Sequence, residues 1–250
     1  MLGYYSSLSA EVYDMDKPAG HSFGDVEYYS ERLKGVSGKV LEPATGTGRI
    51  LVPLVKQGFN VEGFDLSGEM LAIARHNCEE HGVKAELRQD NMVTFERSGK
   101  YEAVIVPTGT FLLISDRKDS IRALENFYRH LADGGRLILD VFLQTDFEKG
   151  RVSVRTWDCE NGDRITHENT LVEVDHVNQL TVSHGRYERW RGGKLVESEL
   201  ERFPLRWYGI EEFRMILENI GFQDVVVSAD YEYGRPPERA DQTVTFEAVK

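Results

Sequence analysis

Short apolar strands alternate with amphipathic helices from Lys39 onward, and this alternation constrains the fold more than any other feature of the chain. The pattern runs to Phe142 and resumes with a helix at Ile210–Asn219, which two further strands follow. Strand–helix–strand units place successive strands in parallel and cover both faces of the sheet with helices. The sequence therefore predicts an α/β fold around a parallel sheet.

The individual elements follow from apolar periodicity and from the glycine and proline breaks between them. We predict strands at Lys39–Glu42, Asn60–Phe64, Lys84–Arg88, Glu102–Val106, Arg136–Phe142, Phe222–Ser228 and Gln242–Val249. We predict helices at Thr47–Gln57, Gly68–His81 and Lys118–Leu131, the last ended by Asp133-Gly134-Gly135.

Residues 146–206 interrupt the alternation with four strand-like runs. Asn161-Gly162 and Gly192-Gly193 lie between these runs, and both pairs favour hairpins because they accept positive φ angles. We therefore expect an antiparallel β-meander inserted into a single domain that spans 1–250. Its core would be 39–145 and 207–250. The tyrosine-rich segment 1–38 would be either a lid or an arm that packs its rings against the domain.

Charge and residue usage exclude several classes of protein. The chain has 42 acidic and 30 basic residues, and a net charge of −12 argues against a nucleic-acid partner. Two cysteines do not make a disulfide framework, and the seven histidines lack metal-site spacing, so we expect no metal. No signal peptide and no apolar run long enough to cross a membrane is visible, so we expect a cytoplasmic protein without a membrane partner.

The stretch Val40–Arg49 carries the most chemical information, because it joins the first strand to the first helix through small residues. Ala44, Gly46 and Gly48 let the backbone turn sharply and let a ligand approach closely. Glu42, Asp65 and Asp90 come at the ends of three successive strands, on the sheet edge where open α/β sheets bind ligands. Asp65 is well placed to accept the hydroxyls of a ribose, and Asp90 to accept from an adenine amino group.

This turn differs from two common nucleotide-binding motifs. A dinucleotide fingerprint requires a third glycine, and that position is occupied by Leu51, whose bulk conflicts with close helix–strand packing. No Gly-Lys-Ser/Thr follows, which excludes a P-loop. An acid before the small residues suits a ligand with a cationic amino-acid end.

These residues resemble the class I S-adenosylmethionine (SAM) dependent methyltransferases. The resemblance rests on Val40–Arg49, Gly63–Leu71, Gln89–Met92 and His130–Leu137, in that order, with Ala44 in place of the usual first glycine. It implies SAM as cofactor and a seven-stranded Rossmann-like sheet whose last strand is antiparallel. The insert at 146–206 is similar to that of small-molecule methyltransferases, some of which methylate amino sugars.

The resemblance also assigns residues to roles. The residues that it implies for cofactor binding are Glu42, Ala44, Thr45, Gly46, Gly48, Asp65, Leu66, Met70, Asp90, Met92, Thr108 and Phe111. Substrate-side candidates are Tyr5, Tyr13, Tyr29, Phe111 and Arg206, and the candidates for a catalytic role are Tyr13 and His21.

The favoured function is in-line transfer of a methyl group to a small-molecule acceptor. Methyl transfer needs orientation and electrostatics from the protein rather than a covalent nucleophile. Two alternatives remain at this stage: an NAD(P)-dependent oxidoreductase and a non-catalytic SAM-binding module. A homodimer through the inserted sheet is a further expectation, with the sheet as a roof over the acceptor as its alternative.

Overall fold

The structure, a computed structural model, describes residues 5–250. Its strands, in chain order, are β1 (Lys39–Pro43), β2 (Asn60–Asp65), β3 (Glu86–Gln89), β4 (Tyr101–Val106), β5 (Leu131–Phe142), β6 (Val152–Asp158), β7 (Arg164–Asp175), β8 (Leu180–Arg191), β9 (Lys194–Arg206), β10 (Gln223–Ala229) and β11 (Thr243–Val249). Its α-helices are α1 (Ser7–Asp16), α2 (Asp25–Arg32), α3 (Leu51–Lys56), α4 (Gly68–Glu80), α5 (Arg117–His130) and α6 (Ile210–Ile220), and a 3-10 helix covers Thr110–Leu113.

Seven strands form the larger sheet, in the order β10-β11-β5-β4-β1-β2-β3. Strands β1 to β5 pair in parallel, whereas β11 is antiparallel to both of its neighbours, β5 and β10. The α/β prediction and the antiparallel last strand are therefore confirmed. Strands β6 to β9 form a separate antiparallel meander in sequence order, as the hairpin signals at Asn161-Gly162 and Gly192-Gly193 predict.

The larger sheet is buried on both faces, and strand β4 illustrates the reason. Val104 and Val106 belong to an apolar cluster with α5 and α6, while Ala103 and Ile105 belong to a second cluster with α2 and α3. Successive side chains of a strand point to opposite faces, so an all-apolar strand needs helices on both sides. This central strand ends beside the candidate site.

Two predicted boundaries were wrong for local reasons. Helix α3 begins at Leu51 rather than Thr47, because Gly46 and Gly48 hold left-handed φ angles of 58° and 80°. Helix α5 ends at His130, and Leu131 is already extended. Gly134, with φ 76°, therefore bends the start of β5 instead of capping the helix, and its N–H donates to the carbonyl of Lys250.

Helix α1 packs on the meander rather than standing apart from it. Leu8 and Val12 form a small apolar cluster with Ile165 and Tyr187 of the meander. The carboxylate of Glu199 accepts from the Leu8 N–H at 2.8 Å and from the Ser6 hydroxyl. The first described residues and the meander thus form one layer. Across residues 5–250, no helix is long and apolar enough to cross a bilayer.

Candidate functional site

A cavity of about 670 Å³ lies at the carboxyl ends of β1, β2 and β3. Parallel strands bring the loops that follow them to one edge, which is where α/β sheets bind ligands. Seven residues predicted for cofactor binding line this cavity: Ala44, Gly46, Asp65, Leu66, Met70, Asp90 and Met92. Tyr5 and Tyr13, predicted on the substrate side, also line it.

The turn after β1 has a left-handed backbone at Ala44 (φ 53°) as well as at Gly46 and Gly48. An alanine in this region costs about 1–2 kcal/mol because Cβ crowds the following carbonyl. A side chain on Gly46 would meet nothing within 4 Å, so the space beside this residue is open to a ligand. Strain retained beside a cavity is common at ligand sites.

Helix α3 and strand β2 approach closely, although Leu51 occupies the third-glycine position. Gly63 provides the room: a Cβ there would lie 2.7 Å from Leu51 Cδ1 and 3.0 Å from Thr45 Cβ. The bulky leucine is therefore accommodated by a glycine on the facing strand. This packing holds the glycine-rich turn against β2.

Asp65 ends β2 with its carboxylate nearly buried at the cavity wall. Oδ2 accepts from the Gly46 N–H at 2.9 Å, and Oδ1 accepts from the Ser67 N–H at 2.8 Å. Burial raises the pKa of Asp65 above its ordinary value, and the backbone donors oppose that rise. Each carboxylate oxygen has a second lone pair, so Asp65 can still accept hydroxyl donors from a ligand.

Asp90, which pairs with Arg97, lines this cavity together with apolar side chains. Asp90 accepts from the Asn91 N–H and from Arg97 Nη1, each at 2.8 Å. Met70 and Met92 line the cavity near it. Flexible thioether side chains pack readily against flat rings. The wall therefore suits a planar group with a polar edge.

Three predicted cofactor residues line neither cavity: Glu42, Thr45 and Gly48. Glu42 is buried, and the Thr45 hydroxyl donates to it at 3.2 Å. Burial raises the pKa of Glu42 to about 8, against the opposing effects of Thr45 and the Arg49 charge. This carboxyl would become ionised most easily if a cation approached it.

A second cavity, of about 500 Å³, adjoins the first. Four residues line both cavities: Tyr5, Tyr13, Thr110 and Leu113. The rings of Tyr5 and Tyr13 meet edge to face, with centroids 5.7 Å apart. These two tyrosines thus stand at the junction. Thr108, predicted for the cofactor, lines only this second cavity.

A buried arginine organises the wall of the second cavity. Arg49, the last residue of the glycine-rich turn, forms an ion pair with Asp25 and donates to the Thr108 hydroxyl at 2.7 Å. It also donates to the carbonyl of His21 at 2.6 Å. The Arg49 charge lowers the pKa of Asp25 despite burial, which acts in the opposite direction. The turn of the first cavity is therefore tied to the wall of the second.

Asp140, in β5, holds Thr108 and Tyr231 of this cavity from a fully buried position. It accepts from the Thr108 N–H at 2.7 Å, from the Thr245 hydroxyl at 2.8 Å and from the Tyr231 hydroxyl at 3.1 Å. Burial raises the pKa of Asp140 to about 6, and these donors oppose the rise. Sequence reasoning missed Asp140 and Tyr231. The available signal was an acid inside the apolar run Leu137–Val141.

Four further predicted site residues lie outside both cavities, each for its own local reason. Phe111 and Tyr29 are fully buried in the two apolar clusters. His21 is exposed and contributes its carbonyl rather than its ring to Arg49. Arg206 donates to the carbonyls of Ser115 and Asn178, so it fastens the end of β9 to the loop after the 3-10 helix.

Among the described residues, no three His, Cys, Asp or Glu side chains gather where they could hold a metal ion. The polar side chains of the two cavities carry carboxylates, hydroxyls and the amides of Gln89 and Asn91, with Lys17 at the second cavity. The Lys17 ammonium lies 4.8 Å from the ring centroid of Tyr13, and burial lowers its pKa.

Comparisons with known proteins agree with this geometry. Residues 40–135 match the family model described as "Methyltransferase domain". The chain is 26% identical over 213 residues to a putative methyltransferase, YqeM, of Bacillus subtilis, covering 85% of this chain and 84% of that protein. It is 30% identical over 195 residues to a glycine/sarcosine N-methyltransferase of Parasynechococcus marenigrum, covering 77% of this chain and 66% of that protein.

Among solved structures, a SAM-dependent methyltransferase from Clostridium acetobutylicum has a similar fold. The two chains superpose with a TM-score of 0.76 at 18% identity, covering 96% of each. The similarity extends over the inserted meander as well as the larger sheet.

Proposed function

The chain belongs to the class I SAM-dependent methyltransferases, and from that premise we propose that it transfers a methyl group to a small-molecule amine bound in the second cavity. The observation that carries this proposal is the junction of two cavities at Tyr5 and Tyr13. One cavity has the polar groups suited to a nucleoside, and the other is free for an acceptor.

The residues of the first cavity fit SAM. Asp65 would accept from the ribose hydroxyls, and Asp90 with Met92 would contact the adenine. The open backbone at Gly46 and the buried Glu42 behind it suit the methionine end, whose ammonium is a cation. When bound there, SAM supplies an electrophilic methyl group on a sulfonium.

The choice of a small amine has two supports. The second cavity, of about 500 Å³, has a volume suited to small ligands. The relative from Parasynechococcus is named as an enzyme acting on glycine and sarcosine, and both of these are amines. A neutral amine is itself nucleophilic, so no general base is needed for its attack.

The chain's own residues would contribute by binding and orientation. Tyr5 and Tyr13 stand at the junction, and β9 residues Phe203 and Leu205 give the second cavity an apolar side. Holding an acceptor in line with the methyl group contributes about 7–11 kcal/mol through effective molarity.

Calorimetric titration with SAM tests the cofactor site. We expect Asp65→Ala to weaken binding by about 1–3 kcal/mol, because ribose donors lose a buried acceptor. Asp119→Ala is the matched control. It removes a carboxylate from the rim of the same cavity, where Asp119 pairs with Arg122. Equal SAM affinity in wild type and Asp65→Ala, with both proteins folded by circular dichroism, would show that the site is misplaced.

The two alternatives are distinguished by simple observations. A dinucleotide-binding oxidoreductase conflicts with the family to which the chain belongs, and the fingerprint's glycine–helix contact is replaced here by Leu51 against Gly63. A non-catalytic SAM-binding module would leave no room for an acceptor, whereas the second cavity adjoins the first. Transfer of labelled methyl groups to a panel of small amines tests the catalytic proposal directly.

A further inference from the structure

Tyr231 lines the second cavity, and its hydroxyl donates to the buried carboxylate of Asp140 at 3.1 Å. We propose that Tyr231, oriented by Asp140, accepts a hydrogen bond from the nitrogen of the methyl acceptor and stabilises the cation that forms there, and so selects amines over alcohols. This inference rests on the proposed function, which it deepens by assigning a residue to the acceptor.

Three hydrogen-bond donors hold the Asp140 carboxylate in one orientation. Its two oxygens accept from the Thr108 N–H, the Thr245 hydroxyl and the Tyr231 hydroxyl, all within 3.1 Å. These donors come from the end of β4, from β11 and from the loop after β10, so the carboxylate is fixed from three sides. Asp140 itself does not line either cavity, whereas Thr108 and Tyr231 line the second.

The Tyr231 hydroxyl has a single proton, and its partner decides what the oxygen can do. A phenol has one donor hydrogen, and in this structure Tyr231 donates it to Asp140. Its oxygen can then only accept a further hydrogen bond. An acceptor molecule with an N–H group satisfies that lone pair. A group that offers only lone pairs has no hydrogen to donate, so it would form no hydrogen bond with the Tyr231 oxygen.

Positive charge moves between two atoms during methyl transfer. The nitrogen lone pair forms the new bond to the methyl carbon as the carbon–sulfur bond breaks, and sulfur keeps that electron pair. The positive charge therefore passes from sulfur to nitrogen, and the product later releases a proton to water. A buried carboxylate that is linked to the nitrogen through the Tyr231 hydroxyl, two hydrogen bonds away, stabilises a developing cation more strongly than it would in water.

Alcohols are disfavoured because their attack needs a base. An alcohol must lose its proton during attack. The carboxylates near this cavity already accept hydrogen bonds or form an ion pair, and such partners make a carboxylate a weaker base. Asp25 is held in an ion pair by Arg49, and Asp140 accepts three donors. Asp230 accepts from the Gln242 amide at 2.6 Å. Each of these acids is held in place by neighbours, which favours orientation of a neutral amine over removal of a proton.

The experiment compares matched amines and alcohols as methyl acceptors with labelled SAM. Suitable pairs are glycine with glycolate and glucosamine with glucose. We expect transfer to an amine and none to its alcohol partner. Tyr231→Phe should lower kcat/KM for that amine by roughly 10- to 100-fold, since a hydrogen bond to a charged group is lost. It should leave the affinity for SAM unchanged.

Tyr28→Phe is the control, because the ring of Tyr28 lies 5.6 Å from that of Tyr231 but lines neither cavity. It should match wild type. Asp140→Asn tests the orienting role, because an asparagine NH₂ would donate to Tyr231 and turn its proton toward the acceptor. The double variant Tyr231→Phe/Asp140→Asn should then be no worse than the more impaired single variant, as expected for residues that act as a unit.

A readout without turnover completes the test. Calorimetry without SAM should show weaker amine binding in Tyr231→Phe than in Tyr28→Phe. The proposal is overturned if a SAM-binding protein methylates only the alcohols or no amine, if Tyr231→Phe equals wild type, or if the two single effects simply add. A wild-type protein that fails to bind SAM would contradict the proposed function itself, and the inference with it.

Discussion

At the residue scale, the acids of this chain differ in what surrounds them, and their roles differ accordingly. Asp65 meets two backbone N–H groups at a cavity wall. Asp140 meets three donors in the core, and Glu42 meets one hydroxyl. Burial without a full set of donors favours the protonated form. Glu42 is therefore the carboxyl whose ionisation costs the unliganded protein most among these three.

The pH dependence of stability should report this cost. The folded-state pKa of Glu42, about 8, lies above its unfolded value, so the native state keeps a proton that the unfolded chain releases. The free energy of unfolding without SAM should thus fall as pH rises from about 5 to 8. Glu42→Gln cannot ionise, and we expect it to lose less stability over this window, by on the order of a few kcal/mol.

Urea unfolding at pH 5 and pH 8 measures this difference. Exposed Glu31, which pairs with Lys34, provides the control Glu31→Gln, whose pH profile should parallel that of wild type. Asp140 contributes equally to the pH dependence of the free energy of unfolding in all three proteins, so its contribution cancels in the comparison. Parallel profiles for Glu42→Gln and wild type would show that Glu42 is ionised in the folded protein.

At the element scale, the contact of α3 with β2 decides the shape of the glycine-rich turn. Gly63 leaves room for Leu51 and Thr45, and this replaces the glycine of a dinucleotide fingerprint. The helix start and the strand end then lie close enough for the Gly46 N–H to reach Asp65. The site geometry thus depends on a packing contact outside the cavities.

Gly63→Ala should destabilise the fold by about 1–3 kcal/mol, because its Cβ overlaps both neighbours. Leu51→Ala opens space, so the double variant should cost less than the sum of the single changes. Urea unfolding of the four proteins gives this coupling. Gly99→Ala is the control, since its Cβ would meet nothing within 4 Å. If the losses in the free energy of unfolding are additive, the turn, rather than Leu51, shifts to make room for the new methyl group.

At the scale of the whole molecule, the inserted meander and α1 act as one layer over the junction of the cavities. The carboxylate of Glu199 accepts hydrogen bonds from Ser6 and Leu8. The carboxylate of Glu201 accepts from the Tyr5 N–H at 2.6 Å. Arg189 forms an ion pair with Glu11. Tyr5 and Tyr13 therefore reach the junction from a layer anchored on the insert. A lid role for this layer remains a prediction.

Glu199→Ala removes two contacts to the start of α1, and we expect faster amide hydrogen exchange across Ser7–Asp16. If α1 is a lid, release of SAM should also accelerate several-fold, as measured by stopped-flow fluorescence. Glu168→Ala, on the opposite face of the meander where Glu168 pairs with Arg186, should change neither rate. Faster exchange with an unchanged release rate would argue against gating by this helix.

The parts of the site that could be predicted from sequence are those specified by neighbouring residues. A left-handed turn needs small residues in a row, and a strand end marks the sheet edge, so Ala44, Gly46 and Asp65 were identified by position. Phe111 and Tyr29, predicted as site residues, lie in the apolar clusters, because local sequence does not distinguish a core ring from a cavity ring. Only the helices packed against them decide that.

By itself, the sequence determined the strand and helix order, the parallel sheet, the meander and the glycine-rich turn, since periodicity and φ preferences are local properties. Only the tertiary structure decided which polar groups share the acceptor cavity. Asp140 and Tyr231 are 91 residues apart, and they meet because β11 runs antiparallel beside β5 and returns the preceding loop to the ends of β4 and β5. Long-range strand pairing, and no short-range pattern, assembles that wall.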